Sequence, residues 1–171
     1  MKKIIVPFII IGVTTLIASC HTTVSEDERI GERVDSFATY YFNWQYDKAA
    51  AYCTPPSIKW LEFAASQVRE GDVEQLKAKE SQLTTEIISI DYSPDEQQAR
   101  VKQRVSNYME ARGFGEPPAE CEEGIYEWTL VREKRAWLIR MEALPRNEKQ
   151  NHDKNWDEPM HNARPWTHRQ G

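Results

Sequence analysis

The chain predicts an α+β fold, with helices first and an antiparallel sheet second. Three observations lead to it. Between residues 30 and 79 apolar side chains recur at helical spacing, and between 85 and 141 they alternate in and out. The alternating segments are joined by short connections, which suit antiparallel neighbours.

The first helix is predicted over 30–46, with Ile30, Val34, Phe37, Ala38, Tyr41 and Trp44 on one aromatic-rich face. Ser25, with Glu28 three residues on, matches a capping box, and acids in a first turn suit the helix dipole. Asp47 to Cys53 reads as a short helical turn, stopped by Pro55 and Pro56, which have no N–H to donate. Ser57 is placed to cap a second helix carrying Ile58, Leu61, Ala64, Ala65 and Val68. Gly71-Asp72 is expected to break it, with a third, more polar helix over 73–79. Strands follow at 85–92 (Ile88, Ile90 and Tyr92 together), 99–109 (Val101, Val105, Met109), 125–131 (Tyr126, Trp128, Leu130) and around Trp137, Ile139 and Met141. Ser93-Pro94-Asp95-Glu96 is a turn, and a loop with two Gly and two Pro spans 112–121. Three helices should therefore pack on a curved four-stranded sheet wrapped around the first. Phe37, Trp44, Ile90, Val105, Trp128 and Ile139 should be buried together.

The N-terminus has the layout of a secretory signal: basic Lys2 and Lys3, an apolar stretch from Ile4 to Ala18, and small residues before Cys20. That stretch is short for a bilayer, which takes about 20 apolar residues. Ile17-Ala18-Ser19-Cys20 resembles the lipobox of bacterial lipoproteins. The resemblance implies a leader over 1–19 and acylation of Cys20, with the protein held on the outer membrane or cell surface by its lipid (palmitate among the acyl chains). Several acyl chains anchor stably where one does not. An ordinary signal peptide, with Cys20 a bystander, is the other reading. Residues 20–28 are then the lipidated Cys and a tether. Ser25-Glu26-Asp27-Glu28 is open to a second meaning, since it resembles the acidic run that sends lipoproteins of Bacteroidota to the cell surface.

Loss of the leader removes two Lys and no acid, leaving 20 basic against 27 acidic side chains. Such a chain has no general attraction for phosphate backbones, so nucleic acid is not an expected partner. The remaining length suits one domain with its own core, placed at 29–144. Cys53 and Cys121 remain after Cys20; export permits a disulfide between them, and two independent thiols are the alternative. From Pro145 to Gly171 the chain is polar, with three Pro and few aliphatics, and reads as a mobile tail that proteolysis should trim near residue 146.

Helices followed by a meander of four strands resemble the NTF2-like superfamily, a cystatin-like cone with a cavity between helix and sheet. The aromatic first helix running into Asp47-Lys48-Ala49-Ala50-Ala51-Tyr52, then Pro and a second helix, resembles the opening of small NTF2-like lipoproteins, the DUF4878-like group. The resemblance covers roughly 28–144 and implies the fold. It implies no single activity, because such cones include enzymes, binding modules and oligomerising partners.

Chemistry is sparse. His21, His152, His161 and His168 all lie outside the predicted core, so no cavity histidine is expected. The tail histidines are spaced by eight and six residues, unlike the tight pairs of zinc sites, so no metal and no cofactor is expected. A cavity base would have to be a carboxylate with a Tyr donor. Asp47 and Asp91 are the candidates, with Tyr46, Tyr92, Tyr108 and Tyr126, although each has an ordinary structural explanation. Trp156 and Trp166 are costly to expose unless they dock. The first functional reading is a non-enzymatic, lipid-anchored envelope module that binds a small ligand or an envelope protein. The alternatives are an envelope enzyme with a carboxylate/Tyr cavity and an immunity or inhibitor lipoprotein.

Overall fold

The computed structural model describes residues 25–113 and 116–148. The expectations for the leader, Cys20, the four histidines, Trp156 and Trp166 lie outside these residues.

Helix α1 spans Glu26–Phe42. Ser25 caps it, its hydroxyl accepting from Glu28 N–H at 3.1 Å, so the acidic run is the helix's first turn. That turn is also pinned to the sheet. The Tyr92 hydroxyl donates to Asp27 at 2.5 Å, and Arg132 pairs with Glu26 at 2.8 Å. Ile30, Val34, Phe37, Ala38 and Phe42 form the buried stripe.

The helix stops at Phe42, four residues before the predicted end. Gln45 N–H bonds Tyr40 C=O at 2.8 Å and Trp44 N–H bonds Tyr41 C=O at 3.0 Å. This is a Schellman ending, whose turning residue is left-handed and usually glycine or asparagine. Here it is Trp44, with φ 55°.

A fourth helix accounts for the difference from the three expected: α2 is the single turn Tyr46–Ala49, continued by 3-10 turns at Ala50–Tyr52 and Pro55–Ser57. Helix α3 is Ile58–Ser66 and α4 is Glu70–Ala78. Ser57 does not cap α3. Its side chain is fully buried and accepts from Met141 N–H at 2.8 Å, tying the start of α3 to the end of the sheet. Nor does Gly71 break a helix. The break falls at Gln67–Arg69, and Arg69 N–H bonds the Asp72 carboxylate at 2.9 Å to start α4.

The sheet comprises β1 Thr84–Tyr92, β2 Gln98–Glu110, β3 Ala119–Glu133 and β4 Ala136–Arg140, antiparallel in the order β1-β2-β3-β4. Strand β3 begins six residues earlier than predicted, inside the expected loop, because long β2 pairs with it down to Glu110↔Ala119. A bulge at Ile88 shifts the phase of β1. Ile87 and Ile90 therefore pack on the core, while Ile88 and Tyr92 are exposed, and the predicted shared face of Ile88, Ile90 and Tyr92 is not formed. In β2 the alternation Ala99, Val101, Gln103, Val105 is reset at Asn107, φ 55°, so that Tyr108 is buried as well.

Helix α1 packs against β1, β2 and β4. Of the six expected core residues, Phe37, Val105, Trp128 and Ile139 are buried, while Trp44 and Ile90 are half-buried at the core's edge. Phe37 meets Trp128 edge to face at 5.1 Å. One polar side chain sits among them. Gln103, fully buried, accepts from Trp128 Nε1 at 2.8 Å and donates to Asp35 of α1 at 2.7 Å.

Packing continues beyond Leu144, the predicted end of the domain. Asn147 is buried and its Oδ1 accepts from Ile125 N–H at 3.2 Å. Glu148 pairs with Lys102 at 2.6 Å. The first four residues of the predicted tail therefore belong to the folded body.

Candidate functional site

The Schellman ending of α1 leaves Tyr41, Phe42 and Trp44 at one end of the core, and α2 adds Tyr46 beside them. From the sheet come Tyr126 of β3 and Met109 and Glu110 at the end of β2, with Ala111 following. Ala64 and Gln67 arrive from α3, and Leu144, Pro145 and Arg146 from the chain after β4. Together they line a cavity of about 350 Å³. Five of these side chains are aromatic. The charged groups on the lining are Glu110 and Arg146.

The rings hold one another in place. Tyr41 meets Tyr46 at 5.4 Å and Phe42 at 5.2 Å, both edge to face. Phe42 meets Tyr126 at 4.8 Å. Behind Tyr126 its hydroxyl donates to Tyr108 at 2.9 Å. Burial holds the phenols of Tyr41, Tyr46 and Tyr126 protonated far into the alkaline range; the charges of Tyr46 and Glu110 reinforce this at Tyr41, and the Tyr108 bond does so at Tyr126. At ordinary pH they are neutral rings with donor hydroxyls and cannot act as bases.

Trp44 is the unusual wall. A left-handed conformation costs a residue with a Cβ about 1–2 kcal/mol, and such strain concentrates where a side chain must be aimed. Trp44 has this backbone, packs at the edge of the core, and lines both this cavity and a second groove with Val73 and Leu76. The helical spacing of Tyr41 and Trp44 carries the sequence-based helix through this point, although Asn43 just before Trp44 caps the helix by donating to Thr39 C=O at 2.8 Å. Sequence reasoning also passed over Glu110, since an acid at a strand end reads as a solvated one.

The candidate acids lie elsewhere. Asp47 is exposed on the first turn of α2 and is not on the cavity lining. Asp91 is exposed on β1, accepts from Ser89 at 3.4 Å, and borders a different groove with Arg100 and Arg140. Of the four candidate tyrosines, Tyr46 and Tyr126 line the cavity, Tyr108 backs it, and Tyr92 holds Asp27. Among the described residues no three His, Cys, Asp or Glu side chains lie together as metal ligands, and no helix is long and apolar enough to cross a membrane.

Cys53 and Cys121 are both free thiols, so the disulfide alternative is set aside. The register explains why. Cys53 bridges to Ile139, which pairs with Leu130, whereas Cys121 pairs with Tyr108 near the start of β3. Nine residues of strand separate these positions, on the order of 30 Å at about 3.3 Å per residue, against the 7 Å or so a disulfide tolerates. Burial raises both thiols, Cys53 to about 12. In a Cys20→Ser protein without reductant, two thiols per chain should therefore titrate in denaturant. Natively at pH 8, Cys53 should stay unlabelled, because the thiolate is the reactive form. Finding no titratable thiol in denaturant would show a bond after all.

Compared with known families and characterised proteins, the chain matches no family model and no curated protein.

Proposed function

We propose that this is a lipid-anchored envelope module of the NTF2-like kind, held by Cys20, that binds a small and largely apolar ligand in its aromatic cavity. The observation that carries the reading is the wall at Trp44, a bulky residue kept at a left-handed position on the lining of an aromatic cavity of about 350 Å³. Binding sites are commonly apolar concavities with a few convergent polar groups, and Glu110, Gln67 and the phenols of Tyr41 and Tyr46 supply those. Helices followed by a meander, with α1 laid against the sheet and the cavity at its end, support the NTF2-like assignment.

A second reading, an enzyme using a carboxylate and a tyrosine, is favoured by one observation. Glu110 shares the lining with Tyr41, Tyr46 and Tyr126. Turnover of a bound compound that disappears in Glu110→Gln, with binding retained, would select it.

The test of the first reading is twofold. Wild-type protein should fractionate with membranes and Cys20→Ala should not. An apolar fluorescent dye should bind and quench tryptophan emission, less so in Trp44→Asn, and Ala64→Met, which adds bulk at a lining position of α3, should weaken that binding at least 10-fold, with the urea midpoint reporting separately any overpacking at buried Ala64. Dye binding indifferent to Ala64→Met would remove the cavity from consideration, and an acyl-free N-terminus other than residue 20 would remove the anchor.

A further inference from the structure

The sheet turns one face to α1. On its other side two grooves meet, sharing Thr129 and Arg140. One, about 540 Å³, runs from them to Arg146 and Glu148, where the described chain ends. The other, about 380 Å³, runs on to Arg100 and Asp91. The register lays Asp91, Arg100, Thr129 and Arg140 side by side across the four strands, so they share a face. The chain enters this path already docked, because Glu148 pairs at 2.6 Å with Lys102, two residues from Arg100 on β2. Other cations of the sheet have acids at hand: Arg104 pairs with Glu86 and Glu123, and Arg132 with Glu26. The two arginines of the groove are less well matched. Among the described residues the exposed Arg100 side chain has no ion pair or hydrogen bond. Arg140 donates to Gln98 at 3.2 Å, but its buried Nε makes no hydrogen bond among them and stands 3.5 Å from the exposed carboxylate of Glu142.

We propose that the C-terminal segment 149–158 lies along these grooves, with Asp157 and Glu158 pairing with Arg100 and Arg140 and Trp156 seated over Thr129. The proposal goes beyond the binding reading above and does not depend on the aromatic cavity. Charge, apolar surface and reach all fit this occupant. The segment carries Asp153, Asp157 and Glu158, and the last two directly follow Trp156. Guanidinium forks match carboxylates in shape and charge, and a guanidinium also attracts the face of an indole. Two residues along from Thr129 on the same face, Val131 stands opposite Leu138, both half-buried. They give an apolar footing to a ring that is costly to leave in water. Eight residues separate Glu148 from Trp156, up to about 26 Å of extended chain at about 3.3 Å per residue. Thr129 lies one strand over and two residues along from Lys102, roughly 8 Å away by the same spacings. A tethered segment is present at an effective concentration of about millimolar, so ion pairs that are weak singly suffice to hold it. Glu127, on the first groove, is offset by Lys149, the residue after Glu148. The rival claimant on the two arginines is an anion from solution, and the experiment separates the two.

The experiment follows tryptic cutting after Lys154 by mass spectrometry, on the full-length protein in detergent. A synthetic peptide of residues 149–171 sets the rate for an undocked segment. The protein should be cut at least 10-fold more slowly than the peptide, and about 0.5 M salt should narrow the gap by screening the ion pairs. Asp157→Asn with Glu158→Gln should speed cutting of the protein about 10-fold and leave the peptide within twofold. Arg100→Gln with Arg140→Gln should release the segment equally. All four changes together should act no further than either pair, because each pair already breaks the same contact. Trp156→Ala should also speed cutting. The changes in the segment touch no side chain of the described body, so a folding defect in the arginine variant leaves the test intact. A wild-type protein cut as fast as the peptide would overturn the proposal, as would protection that survives both pairs of changes. Release by the arginine changes with none by the acid changes would also overturn it and assign the grooves to an anion from solution.

Discussion

Trp128→Ala should cost about 3–5 kcal/mol, the range for emptying a large aromatic site in a core, and should lower the urea midpoint without altering the slope. Trp128 is 2% exposed and stands where three elements meet. Its ring is edge to face with Phe37 of α1 at 5.1 Å and stacked on Tyr126 at 5.8 Å. Its indole N–H is also the donor that satisfies buried Gln103. Trp128→Phe separates these roles. It retains most of the bulk and leaves the Gln103 carbonyl oxygen without a partner, which should cost about 1–3 kcal/mol. A second change, Gln103→Leu in the Trp128→Phe background, should recover part of that loss, because removing both partners is cheaper than removing one. A loss below about 1 kcal/mol for Trp128→Ala would show that α1 is not held to the sheet through this residue.

Gly124→Ala should also destabilise the fold, through the opposite error, too much volume. A Cβ at this position would lie 2.6 Å from the Tyr108 hydroxyl oxygen and 2.9 Å from both Asn147 Nδ2 and Tyr126 Cε2. The neighbours that must give way form the Tyr126–Tyr108 hydrogen bond and the Asn147–Ile125 contact. Overpacking of this kind costs about 1–3 kcal/mol, and Gly124→Val should exceed the alanine change. The companion variant is Tyr108→Phe, which removes the nearest atom. Gly124→Ala should be milder in that background by about 0.5 kcal/mol or more. Thermal melts of the four proteins in this cycle decide the matter: strict additivity would mean that the clash is relieved elsewhere.

Most of the scaffold was legible from periodicity. The stripe Ile30, Val34, Phe37, Ala38 and the alternation through Val101, Val105, Trp128 and Leu130 are direct images of a helix and a sheet with one buried face. What escaped depended on backbone geometry or long-range partners. Trp44 turns the chain at a position normally marked by Gly, and the local signal sits one residue earlier, where Asn43 caps the last turn by donating to Thr39 C=O at 2.8 Å. The bulge at Ile88 shifted β1 without any Gly or Pro to flag it. Glu120, Glu122 and Glu123 look like loop residues until their strand has a partner, and β2 supplies it. Gln103 was the one available clue to a buried polar network, a lone amide on the same face as Val101 and Val105. The aromatic types of the cavity were visible, but their convergence on Glu110 was not, because five separate segments assemble it.

The short reach of β4 has a consequence for copies of this protein crowded together. Strand β4 pairs with β3 only over 129–133, although β3 begins at Ala119. An uncovered strand edge is a template on which another chain can add, and natural proteins protect such edges or pay in aggregation. Two devices guard this one. The side chain of Asn147 occupies the N–H of Ile125, where the next strand would have to bond. The same stretch carries Glu120, Glu122, Glu123 and Glu127, so an identical edge brought alongside would meet a row of like charge. A chain cut before Asn147 would lose the first guard and keep the second. Fibril formation by such a fragment should then be held off chiefly by carboxylate repulsion and appear first in acid or high salt.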